Sequence, residues 1–340
     1  MEDLETSVSK DQFCVKETLS ETIPDQKPWD RHGCEREDLS SVYLNNPAEE
    51  QDWLEKQGKR IAECSQFLWF SKSETDSKYK LKTYFCKVRT CPVCTWRRSL
   101  QISAKIFERF ETWPGVEGKR LLFLTLTVPN CSVSELRNTI KKINSGWKRL
   151  TERETFPAVG WIKNIEVTRN LENNSCHPHC HVLLLVEPSY FKDKTYLSHE
   201  KWLQSWRDCV KDQSITQVDI RAVRRKHGEI LQEAGIQTMA GVVAEISKYP
   251  TKPADLLGKK VSLKKEIDPD SVDREWINGY ALAVKRLRFV DTGGILRGLL
   301  ADDKRTGQET EEEAPEGKIR MCFKWSSRRR YEREKRYEDR

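Results

Sequence analysis

Nowhere in the 340 residues do about 18 apolar residues run together, so no segment has the length and hydrophobicity of a membrane-spanning helix. The opening MEDLETSVSKDQ is acidic and polar and lacks the basic-then-apolar order of an export signal. The expectation is a soluble cytoplasmic protein with no membrane partner. A G-x-x-x-x-G-K-[ST] run is also missing, so nothing resembles the loop with which nucleotide hydrolases cradle phosphates. Histidine is scarce, at six residues, and half of them fall within five positions. Charge is plentiful: 33% of residues are charged and 37% hydrophobic, enough apolar material for one or two domains but not for a core throughout. The eleven cysteines are an odd number, and in a reducing compartment they read as thiols or metal ligands sooner than as a disulfide framework.

The net charge of +7 conceals an asymmetry. Residues 1–50 carry 5 Lys/Arg against 13 Asp/Glu, a net of −8, which leaves 55 against 40, or +15, for residues 51–340. A basic body suits a polyanionic partner, because Lys and Arg neutralise phosphates and release condensed counterions. A merely soluble basic protein is the plainer alternative.

Four stretches follow from composition and periodicity. Residues 1–52 lack a sustained apolar period, carry Pro24, Pro28 and Pro47, and are expected to form a flexible acidic arm. Residues 53–113 bring Phe67, Trp69, Phe70, Tyr79, Tyr84 and Phe85 together with four grouped cysteines, a small module with its own staple. Residues 114–290 read as α+β. RLLFLTLTVPN is a strand, and Ser132 and Glu135 have capping-box spacing ahead of a helix that carries Leu136, Ile140, Ile143, Trp147 and Leu150 on one face. GWIKNIEVTRN and HCHVLLLVE, joined by turn residues, form an antiparallel pair. A helix after Ser198 holds Trp202 and Trp206 as core anchors, ITQVDIRAV alternates as a strand, and TMAGVVAEISKY is helical. The order β-α-β-β-α-β-α implies a central, mainly antiparallel sheet with helices on one face. Residues 291–340, Gly-rich, then acidic, then basic, read as a charged disordered tail.

Three constellations carry chemistry. Cys91 and Cys94 form a C-x-x-C knuckle around Pro92, with Cys86 five residues earlier and Cys64 assigned by elimination; four thiolates would close a structural Zn²⁺ site. The adjacent Arg97 and Arg98 could then face a phosphate backbone. His179 and His181, two apart on a strand, share a face about 7 Å apart along the backbone and could share one ion. His177 is in phase, but Pro178 marks the strand's entry. On the partner strand Glu166 points opposite to Ile165 and Val167, which makes it either a third ligand or a surface carboxylate. Finally, Glu245 and Tyr249 lie one helical turn apart, flanked by Lys248 and Lys252: a phenol, a base and two phosphate clamps, or else a solvated helix face. Pro250 disfavours the α conformation at Tyr249, so the tyrosine would end the helix.

Taken together, FCKVRTCPVCTWRR, FLTLTVPN, HPHCHVLLLV and EISKYPTK, in that order, resemble the replication initiators of small bacterial rolling-circle plasmids, within the superfamily of histidine-hydrophobe-histidine (HUH) endonucleases. The resemblance covers roughly residues 60–290; Cys180 stands where a bulkier hydrophobe is usual. It implies that residues 114–290 are an HUH endonuclease and strand-transferase domain that nicks a single-stranded or hairpin origin. His179, His181 and Glu166 would bind Mg²⁺ or Mn²⁺. Tyr249 would form a 5′-phosphotyrosine and free a 3′-OH, and Glu245 would activate water at termination. Host helicase and DNA polymerase would be partners. A single-tyrosine transposase or relaxase, or a non-catalytic zinc-dependent DNA-binding regulator, are the alternatives.

Overall fold

The computed structural model describes residues 17–45, 51–72, 79–192, 196–223, 238–248, 250–258, 262–301 and 319–335. The N-terminal elements are α1 (Leu19–Thr22), α2 (Pro28–Leu44), α3 (Gln51–Glu63), β1 (Phe67–Lys72), β2 (Tyr79–Lys82) and α4 (Pro92–Arg109). The centre comprises β3 (Arg120–Thr127), α5 (Leu136–Thr151), β4 (Ala158–Arg169), β5 (Cys176–Val186), α6 (His199–Val210), β6 (Val218–Val223) and α7 (Met239–Ile246). It is followed by α8 (Pro253–Leu257), α9 (Arg274–Ala283), β7 (Val290–Gly294), β8 (Ile319–Trp325) and β9 (Tyr331–Arg333).

Period-2 alternation makes the central strands two-faced, and they pair throughout as antiparallel neighbours in the order β6-β3-β5-β4-β7. One face carries Leu122, Leu124, Leu126, Ile165, Val167, Val182 and Leu184 into a core shared with α5, α6 and α9. The five apolar positions expected on α5 are all buried, each side chain contributing about 1.5–3 kcal/mol by leaving water. Trp202 and Trp206 are fully buried, as core anchors should be. Ser132 and Glu135 do bond each other, but ahead of the helix, which starts at Leu136.

The opposite face is not bare, which corrects the expectation of helices on one side only. Phe123, Leu183, Leu185 and Ile162 project there and are covered by Ile106 and Phe110 at the end of α4 and by Val242, Val243 and Ile246 of α7. Four apolar side chains in a row needed a lid, and α4 and α7 supply it at one end. The other end of that face stays polar.

Both chain ends depart from the sequence-based reading. Residues 28–44, expected in a flexible arm, form α2, which buries Trp29, Cys34, Leu39, Val42 and Tyr43. Residues 319–333, expected in a disordered tail, form β8 and β9, which complete a second antiparallel sheet in the order β2-β1-β8-β9. The two charged ends hold each other. Arg329 places its guanidinium on Asp38 at 2.9 and 3.1 Å and on Glu37 at 3.0 Å. Trp325 Nε1 donates to Glu37, the Tyr331 amide donates to Asp30, and Arg333 reaches Glu17. Asp38 and Arg329 are almost completely buried, so each compensates a charge that would otherwise be intolerable.

Replacing Arg329 by Met strands the Asp38 carboxylate in the interior. The expected cost is about 3–5 kcal/mol, read as a lower denaturant midpoint and early proteolysis near residues 28–44. An unchanged midpoint would mean that this pair does not hold the ends together.

Candidate metal centres and nucleic-acid site

The register of β4 against β5 sets Glu166 directly opposite His179 and Asn164 opposite His181, while β3 sets Thr127 and Thr125 opposite the same two histidines. All these side chains emerge on the face left open beyond α7. Glu166 Oε2 lies 3.4 Å from Nε2 of His179 and 3.4 Å from Nε2 of His181. Two donors bonded to one ion at about 2.1 Å and roughly 100–110° are themselves about 3.2–3.4 Å apart, so the triad has the spacing of a shared cation site.

Hydrogen bonds orient the rings. His179 donates from Nδ1 to the His177 carbonyl at 3.2 Å, which leaves its Nε2 lone pair facing Glu166. His181 meets the Thr125 hydroxyl at Nδ1, 3.2 Å away, and stacks on Phe123 at 5.5 Å. Such partners behind a ligand fix its tautomer. Glu166 is 3% exposed. Burial alone would raise its carboxyl, but the two imidazoles and the Lys248 ammonium outweigh that and hold it below the usual carboxylate range. His177 lies outside the triad and binds Asn130 at 2.7 Å.

Glu245, on the last turn of α7, brings Oε2 to 3.8 Å from His181 Nε2. Lys248 sits between the acids, its Nζ 2.6 Å from Glu245 and 4.0 Å from Glu166. Tyr249 lies outside the described residues, but its neighbours are tied to the strand bearing Glu166. Asn164 Nδ2 donates to the Lys248 carbonyl at 3.0 Å, the Val167 amide donates to the Pro250 carbonyl at 2.7 Å, and the Thr251 hydroxyl bonds the Val167 carbonyl at 2.8 Å. Lys252 is exposed beyond them. Beside the triad, over β3 and β6, a cleft of about 510 Å³ is lined by Thr125, Thr127, Asn130, His177, Gln217 and Asp219 among others.

The four cysteines converge in the N-terminal module. Cys94 Sγ is 3.6 Å from the sulfurs of both Cys64 and Cys86, and Cys91 joins the cluster. A disulfide needs about 2.05 Å. Tetrahedral zinc with bonds of about 2.3 Å spaces its sulfurs about 3.8 Å apart, so these residues fit a closed Zn²⁺ site. Lys87 takes the left-handed conformation (φ 57°), and its amide donates to Cys94 Sγ at 3.3 Å. Arg36 and Arg60 donate to the carbonyls of Cys64 and Cys86, placing two cations beside four thiolates. Of the two arginines expected to meet DNA, Arg98 is exposed. Arg97 is half-buried and lays its guanidinium over the rings of Trp29 and Trp96, at 5.7 and 5.6 Å.

A family model described as a replication protein matches residues 78–337, which takes in the Glu166–His179–His181 triad, the five-stranded sheet and three of the four clustered cysteines, Cys86, Cys91 and Cys94. The chain belongs to that replication-protein family. Curated relatives agree: a Protein rep of Staphylococcus aureus is 35% identical over 214 residues, covering 62% of this chain and 88% of the relative. One from Streptococcus pneumoniae is 34% identical over 264 residues, 76% of each. One from Bacillus amyloliquefaciens is 33% identical over 253 residues, 71% of each. No solved structure matches. Among the described residues, no helix of this Rep-family protein is long and apolar enough to cross a membrane.

Thr125, Asn164 and Asn130 were not among the residues expected at the site. Thr125 and Asn164 stand in the same alternation phase as His181 and Glu166, a signal that needs the strand register to become visible. The two centres should separate cleanly by metal. Purified protein is expected to carry about one Zn²⁺, lost in a Cys94→Ser variant, while Mn²⁺ titration should require His181. Thr125→Val should weaken Mn²⁺ about 10–100-fold with zinc content unchanged, measured by calorimetry and elemental analysis. Equal Mn²⁺ affinity in a His181→Ala variant would remove the triad as a metal site.

Proposed function

We propose that this protein is a plasmid rolling-circle replication initiator that nicks single-stranded origin DNA through Tyr249, on an HUH-type sheet. The observation that carries the reading is the convergence of Glu166, His179 and His181 on one point, with Glu245 and Lys248 beside them and the residues flanking position 249 tied to β4. Membership in a replication-protein family agrees with it.

In this reading His179, His181 and Glu166 would hold a Mg²⁺ or Mn²⁺ ion, which would supply positive charge to the scissile phosphate. The phenolic oxygen of Tyr249 attacks phosphorus, the P–O3′ bond breaks, and the strand is left with a 5′-phosphotyrosine and a free 3′-OH that a host polymerase can extend. Lys248, displaced from Glu245 by the incoming phosphate, adds a second cation. Glu245 takes a proton from water in the terminating cleavage, so the single tyrosine need not act twice. Unpaired DNA is the fitting substrate, because a phosphodiester held in a duplex does not reach a sheet face. The zinc module with its basic neighbours would contribute origin specificity, and a host helicase would extend the unwinding.

The test is a labelled single-stranded origin oligonucleotide incubated with Mn²⁺. Wild type should become covalently attached, Tyr249→Phe should not, and Glu245→Ala should form the adduct but fail to resolve it. Equal adduct from wild type and Tyr249→Phe would take the tyrosine out of the mechanism. Complete absence of adduct with bound Mn²⁺ would favour a non-catalytic DNA-binding regulator.

A further inference from the structure

The triad uses the five-stranded sheet; the second sheet has an outward face with no part in that chemistry. Along β1 the even residues Leu68 and Phe70 turn inward and are buried with Phe323. The odd residues Phe67 and Trp69 turn outward. Register places Trp69 opposite Lys82 and Phe67 opposite Lys324, and Lys80 follows Lys82 in the same phase. The Phe67 and Trp69 rings stack at 5.4 Å and 22°, and the Lys324 ammonium lies 5.6 Å from the Phe67 ring centre. Trp69 is 37% exposed and Tyr84, two residues past Lys82, is 51% exposed. Lys80 and Lys82 are exposed as well. At one margin Arg328 and Arg330 share the single carboxylate of Glu332, at 3.7 and 3.4 Å, so cations outnumber it.

Large rings at a sheet surface, interleaved with ammonium groups, have the chemistry of a platform for unpaired nucleic acid: every base offers a π face to stack, and every phosphate a charge to neutralise. A protein partner docking by apolar contact would have to bury those lysines. A duplex has no free base faces to offer. We propose that this face is a second strand-binding surface, on which bases of single-stranded DNA stack against Trp69 and Phe67, with Tyr84 at the edge, while phosphates lie along Lys80, Lys82 and Lys324. The proposal rests on the reading that the substrate is a DNA strand, but not on nicking.

Anisotropy with full-length, zinc-replete protein and a labelled 20-nucleotide thymidine oligomer tests it. Trp69→Ala should weaken binding about 5–150-fold, and Trp69→Phe should restore most of it. Lys80→Ala combined with Lys82→Ala should reduce the slope of log affinity against log salt by about 1.4. In wild type, an oligomer carrying 5-iododeoxyuridine should photocrosslink to the peptide spanning residues 67–84. Adduct formation at Tyr249 on a short saturating nick-site oligonucleotide should be unchanged in these variants. If Trp69→Ala binds the strand as wild type does, or loses duplex and strand binding equally, the face is not a strand platform. Failure of the wild-type adduct alone would strike the nicking proposal and leave this one to stand on the binding data.

Discussion

A single hydrogen-bonded register decides where chemistry can occur in this molecule. Because β4 runs against β5 with Glu166 opposite His179, a carboxylate and two imidazoles point to the same face. A slip of one residue would send Cys180 and Ile165 to that face and bury the imidazoles in the core with α5 and α6. Burial therefore protects the site. Val182, Leu184, Ile165 and Val167 fix the register because they have nowhere else to go, and the residues of the candidate site occupy the alternate positions of the same strands. Burying Glu166 costs desolvation, which the two imidazoles and the Lys248 ammonium around it more than offset.

The ends of the chain obey a comparable constraint over a much longer separation. Arg329 and Asp38 are 291 residues apart, yet each is buried only because the other is there. Acidic α2 and the basic C-terminal hairpin form one module, and the overall charge asymmetry is partly an internal pairing rather than two solvated tails. β8 lies between β1 and β9, so the half that carries the cysteine cluster cannot complete its sheet until the end of the chain arrives.

How much was legible follows from range. The order from β3 to α7 could be read because alternation and helical spacing are local, and HCHVLLLVE shows both its chemistry and its burial in nine letters. The C-x-x-C knuckle and the histidine pair were legible for the same reason. α2 was not, because its interior includes Glu35, Arg36 and Asp38, residues that signal solvent unless their distant partners are known. Arg97 shows the same limit: its contact with Trp29, a residue read from sequence as part of the arm, needs the fold to become visible. The second layer over the site face was also hidden, since α4 belongs by sequence to the cysteine module and reaches the central sheet only through its far end.

That helix connects the two halves. α4 begins at the metal knuckle, with Cys91 as its N-cap and Cys94 in its first turn, and its 18 residues carry the chain about 27 Å. Near its other end Ser103 bonds Ser247, immediately after α7, at 2.6 Å, and Ile106 packs in the cluster that holds Val242, Val243 and Ile246. Glu245 is on that same short helix, and its reach to His181 depends on how α7 sits against the sheet. α7 has only eight residues, too few to be a stable helix by itself, so its position is borrowed from α4 and β5. The cysteine cluster thus stands at the start of the helix whose far end packs against the short helix that carries Glu245. One helix spans the distance between the cysteine cluster and the histidine cluster, and the two share no residue.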